Sequence, residues 1–239
     1  SVLDACNVRV EERDVQVEGN IVRVVHDNKR MIHYAAEEQR VGFVDFLGKS
    51  GIDLNVKSSG GIGAVHIAAK KGHADIIRAL KRSGMKVEDF IANSEKGTPL
   101  EIAVLNKQRD AILEIGGIIK DTKVVDAQGE EKKRVDLVDD RGRAVLHYAA
   151  DEGWHNIIPA LSSIGASMNL KTSGSGNTAL ILASARGNKH AIEELIECGA
   201  DRFMCNNAGQ APMNFIYRDE ELMRSLICTK DKKTGDSAF

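Results

Sequence analysis

Six seven-residue segments of similar sequence return along the chain: RMIHYAA (Arg30–Ala36), GAVHIAA (Gly63–Ala69), TPLEIAV (Thr98–Val104), AVLHYAA (Ala144–Ala150), TALILAS (Thr178–Ser184) and APMNFIY (Ala211–Tyr217). Their fourth residues are His33, His66, Glu101, His147, Ile181 and Asn214, separated by 33, 35, 46, 34 and 33 residues. A unit of about this length is one supersecondary motif. It cannot bury its own apolar face and must stack on its neighbours.

The surroundings of each segment repeat as well. A glycine often stands two residues before the segment, at Gly61, Gly142, Gly176 and Gly209, where it supplies the positive φ of a tight turn. About ten residues further on come KGHADIIRALKRSG and RGNKHAIEELIECGAD, in which Gly72 or Gly187 separates two short helical patterns. The second pattern sets Ile76, Ile77 and Leu80, or Ile192, Leu195 and Ile196, on one helical stripe. It stops at Gly84, Gly165 or Gly199, the expected site of a left-handed cap. Aromatic residues are only 4% of the chain, so the core is expected to be built from Ala, Leu, Ile and Val. The paired alanines of HYAA and HIAA allow close helix approach.

A turn, helix, short turn, helix unit of about 33 residues resembles the ankyrin repeat. The resemblance rests on TPLEIA, HYAA, HIAA, KKGHADII and GADRFM and covers roughly Val25 to Ile227. It implies an all-α fold, a right-handed solenoid of helix-turn-helix repeats with β-hairpin fingers. It also implies that the repeat histidines are structural, tying adjacent turns together by hydrogen bonds.

Two fingers are expected to be elongated. The 46-residue gap between Glu101 and His147 leaves an excess in KDTKVVDAQGEEKKRVDLVDDRGR (Lys120–Arg143), whose arms TKVV and KRVDLV alternate toward β. The N-terminal NVRVEERDVQVEGNIVRVVHDNKR (Asn7–Arg30) alternates similarly, with Val8 and Val10, then Val15 and Val17. GIDLNVKSSGG lies 114 residues before GASMNLKTSGS, the same offset as His33 to His147. Duplication of a three-repeat block accounts for this, and drift among ordinary repeats is the other account. The expected organisation is a remnant helix and extended finger over 1–26, about six repeats over 27–227 with a hairpin insertion near 120–138, and a solvated tail over 228–239. Ser1 in place of Met is expected to mark a cut or processed end.

Composition excludes several function classes. Charged residues number 33 basic and 35 acidic, a net −2, against the basic excess of a duplex nucleic-acid binder. No apolar run approaches the roughly 18 residues of a membrane span. Cys6, Cys198, Cys205 and Cys228 form no CxxC pair and have no histidine at zinc-ligand spacing. They read as inert thiols in a reducing compartment, the cytoplasm or the nucleus. GKS at Gly48–Ser50 lacks the upstream glycine of a phosphate loop, since Phe43 occupies that place. SSGGIG and TSGSGN fall in turns between repeats. No nucleophile–base pairing and no HExxH spacing are present, so no catalytic residue, metal or cofactor is assigned. Pro159 is expected within a helix, where it would remove a donor and kink it.

The resemblance further implies docking through fingertips and first-helix ends. Mapped here, the fingertips are Asp27, Lys29, Arg141 and Arg143. The helix ends are Glu37, Glu38, Lys70, Lys71, Asp151, Glu152, Ala185 and Arg186, giving acidic, basic, then acidic pairs suited to a mixed-charge protein surface. Trp154, the single tryptophan, is added as a candidate anchor. EEKKR (Glu130–Arg134) is read as a solvated hairpin end. The expectation is a non-enzymatic scaffold or adaptor that binds a protein on its concave, finger-lined face. Two alternatives keep the fold: a small-molecule or nucleotide site using Lys70, Lys71 and Arg186, and a targeting module of a larger enzyme.

Overall fold

A computed structural model describes residues 15–17, 20–22, 31–121, 123–125, 131–139 and 141–229. The chain divides into two compact units, Ser1–Ile118 and Ile119–Phe239.

In the first unit, α1 (Met31–Glu37), α3 (Ala64–Lys71) and α6 (Pro99–Leu105) are the first helices of three repeats. Their second helices are α2 (Val41–Lys49), α4 (Ala74–Arg82) and α7 (Arg109–Ile119), with one short turn of helix, α5 (Val87–Phe90), before the third finger. α3 packs between α1 and α6, and α2 packs on α4. Buried Ala35, Ala36, Ala68, Ala69 and Ala103 let these first helices approach closely. α4 turns Ile76, Ile77, Ala79 and Leu80 inward and fully buries them. Each large aliphatic there contributes about 1.5–3 kcal/mol on removal from water.

The second unit repeats the scheme. Its first helices are α8 (Val145–Asp151), α10 (Ala179–Arg186) and α12 (Met213–Ile216), and its second helices are α9 (Ile158–Ser163), α11 (Lys189–Glu197) and α13 (Glu220–Cys228). α10 packs between α8 and α12, and α11 between α9 and α13.

The fourth residue of each recurrent segment closes its helix start in a way set by its chemistry. His66 Nδ1 accepts from Gly63 N at 3.1 Å, and His147 Nδ1 accepts from Ala144 N at 3.0 Å. The other ring nitrogens reach the next turn: His33 Nε2 lies 3.1 Å from Ile62 O, His66 Nε2 3.0 Å from Ala92 O and His147 Nε2 2.9 Å from Leu170 O. Glu101 makes a capping box with Thr98, accepting from its N–H at 2.7 Å while Thr98 Oγ1 accepts in return. Ile181 has no polar side chain, so Thr178 Oγ1 alone caps there; Asn214 accepts from Ala211 N at 2.7 Å.

Adjacent turns are also joined through backbone. Glu95 N donates to Gly60 O at 3.0 Å, Ser173 N to Gly142 O at 3.1 Å and Asn207 N to Ser175 O at 3.0 Å. Gly142 has φ +71°, and a Cβ there would stand 2.6 Å from Ser173 Cβ, so both the conformation and the close approach require glycine. On the opposite side, ion pairs link successive second helices: Arg82–Asp45 at 2.5 Å, Arg78–Glu114 at 2.7 Å and Lys189–Glu221 at 2.7 Å.

Three features differ from expectation or fall outside it. β1 (Val15–Val17) pairs antiparallel with β2 (Asn20–Val22), and β3 (Lys123–Val125) with β4 (Glu131–Lys133). The return arm near 130 is therefore EKK and not KRVDLV. Arg134–Asp136 is a 3-10 turn that buries Val135, and Asp136 accepts from Ser167 N at 2.8 Å and Ser167 Oγ at 2.5 Å. Val8 and Val10 lie outside the described residues. Pro159 does not kink a helix interior. His155–Ile157 forms a 3-10 turn, and α9 opens with Pro159 in its first turn, where a missing N–H costs nothing.

Candidate functional site

In the second unit the structure brings together three of the residues selected from sequence. Asp151, at the end of α8, accepts from Arg143 Nη1 at 2.8 Å and from Arg186 Nε at 2.7 Å. Its carboxylate is only 8% exposed, whereas the Arg186 side chain is 62% exposed. The Arg186 hydrogen bond, with that of Arg143, holds the Asp151 carboxyl below the ordinary range despite its partial burial. Asp151 thus anchors two cations, and the charge at this helix end is shared among Arg143, Asp151 and Arg186.

The turn before α8 is organised by Asp139. Its Oδ1 accepts from Arg141 N at 2.9 Å and Arg143 N at 3.0 Å, and its Oδ2 accepts from the Tyr148 hydroxyl at 2.5 Å. Burial alone would raise the Asp139 carboxyl, but these donors bring it below the usual value. The Arg143 guanidinium also lies 5.7 Å from the Tyr148 ring centroid. Arg141 and Glu152 are exposed at the rim, Ala185 is exposed beside Arg186, and Trp154 is half-buried just past α8.

In the first unit Glu38, Lys70 and Lys71 are exposed and Glu37 is half-buried. Glu37 stands 4.0 Å from Lys71. These helix ends border an open groove of about 330 Å³, lined by residues that include Ile62, Ile67, Lys70, Lys71, Lys96, Ile102 and Leu105. Asp27 and Lys29 lie outside the described residues.

Sequence mapping passed over Lys96, Leu105, Asp139 and Tyr148. Leu105 stands four residues after Glu101, the offset that selected Glu37, Lys70, Asp151 and Ala185 in the other repeats, so the same rule finds it. Lys96 falls between the fingertip offsets used for Arg141 and Arg143 and carries no comparable signal.

Among the described residues, no group of three or more His, Cys, Asp or Glu is placed to hold a metal ion, and no helix is long and apolar enough to cross a membrane. Burial pushes His66 and His147 below the usual imidazole value, consistent with neutral rings that bridge turns.

The sequence profile described as "Ankyrin repeats (3 copies)" matches residues 32–123, 118–203 and 146–236. Mouse (Mus musculus) synphilin-1 is 27% identical over 195 residues, spanning 79% of this chain and 19% of that protein. The nuclear factor NF-kappa-B p105 subunit of Rattus norvegicus is 30% identical over 152 residues, 61% of this chain and 14% of that protein. The chain spans less than a fifth of the length of either of these two curated relatives. An ankyrin repeat domain from Acinetobacter baumannii superposes with a TM-score of 0.60 at 17% identity, covering 82% of this chain and 95% of that domain. Recurrent segments, histidine bridges between turns, stacked helix pairs and the profile match agree: this chain belongs to the ankyrin repeat family.

Proposed function

We propose that the chain is a non-enzymatic protein-binding module, a scaffold or adaptor, whose partner docks on the finger turns and first-helix ends of its repeats. The observation that carries this reading is the Arg143–Asp151–Arg186 cluster. A carboxylate 8% exposed holds two guanidinium groups in place before any partner arrives. Little side-chain entropy then remains to be lost on association, and the guanidinium donors not taken by Asp151 are left for a partner's acceptors. Trp154 beside the cluster supplies an aromatic surface of the kind enriched among binding anchors. Family membership supports a protein partner, since ankyrin repeats commonly serve protein–protein interaction.

Arg141 and Glu152 are the further candidates in the second unit and Glu37, Glu38, Lys70 and Lys71 those in the first, with Asp27 and Lys29 as further sequence-derived candidates. The curated relatives are several times longer than this chain, which supports a role as the recognition segment of a larger protein. Cytoplasm or nucleus is the compartment that four unpaired-type cysteine spacings favour.

The test is an affinity pull-down from native cell extract. It compares wild type with a variant carrying Trp154→Ala, Lys70→Glu and Lys71→Glu, with circular dichroism to check folding. A protein retained by wild type and lost by the folded variant supports the reading. Equal retention by both removes these residues from the interface.

A further inference from the structure

The groove of the first unit combines cations with an apolar floor in a way the repeat architecture does not require. Leu105 ends α6 at the position where other first helices carry Glu37, Lys70, Asp151 or Ala185. It is 52% exposed, and with the half-buried Ile67 it leaves an aliphatic strip facing the groove, over the buried Ile102. The rim is basic. Lys70, Lys71 and Lys96 stand against one lining carboxylate, Glu37, which already lies 4.0 Å from Lys71. Lys70 and Lys96 pair with no carboxylate among the described residues. Burial is the main cause that disfavours protonation of His66, and the positive charge of Lys57 acts in the same direction. Glu38 and Glu95 are exposed but do not line the groove.

We propose that this groove receives an acidic peptide segment of the partner protein, one aliphatic side chain resting on Ile67 and Leu105 and flanking carboxylates meeting Lys70, Lys71 and Lys96. The inference rests on the protein-docking reading and names the chemistry of one part of it. A free inorganic anion would satisfy the lysines and leave the aliphatic strip in water, whereas an apolar segment would leave the lysines unmatched. The groove volume of about 330 Å³ lies at the small end of ligand sites, which run from about 300 to 1,000 Å³. That size suits one anchor side chain and its backbone, not a whole folded surface.

The test is selection of a random twelve-residue peptide display library on the full chain, followed by fluorescence anisotropy of the most enriched peptide. The expected consensus has an aliphatic residue flanked by Asp or Glu. The Lys70→Glu/Lys96→Glu variant is expected to bind that peptide about tenfold or more weakly, and Leu105→Ser to weaken it while leaving its salt dependence intact. Lys70→Gln/Lys96→Gln serves in place of the reversal if circular dichroism shows that the latter misfolds. Three outcomes overturn the proposal: a basic or neutral consensus, no enrichment, or equal binding by the folded lysine variant. Displacement by inorganic phosphate with no dependence on the peptide's aliphatic residue also overturns it, in favour of a simple anion site. If the pull-down still recovers a partner under any of these results, protein docking stands and only the acidic occupant is withdrawn.

Discussion

Replacing His147 with alanine tests how the repeats are held together. The ring is completely buried, accepts from Ala144 N at 3.0 Å and reaches Leu170 O at 2.9 Å. Alanine can make neither bond. An unsatisfied buried donor or acceptor costs about 1–3 kcal/mol, and the lost ring leaves a cavity besides. The expected destabilisation is about 3–5 kcal/mol, or a melting shift on the order of 10 °C for a chain of this size. Urea unfolding followed by far-ultraviolet circular dichroism gives the free energy, and hydrogen exchange locates the loss. Because each repeat leans chiefly on its neighbours, exchange should rise first in α8 and the turn around Leu170. His155→Ala, at an exposed ring tilted against His190, should stay within about 0.5 kcal/mol of wild type. A loss below about 1 kcal/mol for His147→Ala would refute the claim that the repeat histidine is a structural bridge.

Two further outcomes follow from the same geometry. His66 and His147 have folded values below 6.5, so the unfolded chain takes up their protons first as pH falls. Their contribution is present above about pH 6.5 and is lost as pH drops through it toward the lower folded values. The urea midpoint should therefore fall between about pH 7.5 and pH 5 in wild type and fall less in His66→Gln/His147→Gln; equal slopes would contradict this. The carboxyls of Asp139 and Asp151, held below 3.8, act in the same direction at lower pH. At the end of the second unit Arg202, 9% exposed, donates to the carbonyls of Leu226, Ile227 and Thr229. Arg202→Ala leaves those acceptors to water and should speed hydrogen exchange in α13 while α8 is unchanged; unchanged exchange in α13 would remove Arg202 as its cap.

The parts of this fold that sequence predicts are the parts encoded locally. The spacing of Ile76, Ile77 and Leu80 marks the buried stripe of α4, and Thr98-x-x-Glu101 announces its capping box without reference to any other repeat. Gly142 and Gly176 are legible for the same reason, since a tight turn needs their positive φ wherever it stands. Contacts between repeats are less legible. His73 Nδ1 lies 2.9 Å from Ala36 O, and Asn188 Nδ2 donates to Ala150 O and Asp151 O at 2.9 Å, each caps a first helix 37 or 38 residues earlier. Neither residue type advertises that reach. Asp151 was legible as a helix-end charge, but its sharing between Arg143 and Arg186 depends on side chains 8 and 35 residues away. Alternating valines suggested strands near 120–138, yet burial of Val135 and the Asp136–Ser167 bonds decide where the return arm stops. Pro159 likewise reads as a kink until the 3-10 turn before it makes it a helix start.

The proposed docking residues are tested most directly by hydrogen exchange of the full chain with and without the protein recovered in the pull-down. Binding as described here protects the turns around Arg141–Arg143 and Ser94–Gly97, together with the ends of α3, α8 and α10. The second helices α2, α4 and α11 exchange as they do in the free chain. Protection confined to those second helices, with the turns and first-helix ends unchanged, would place the partner on the second helices and contradict the account.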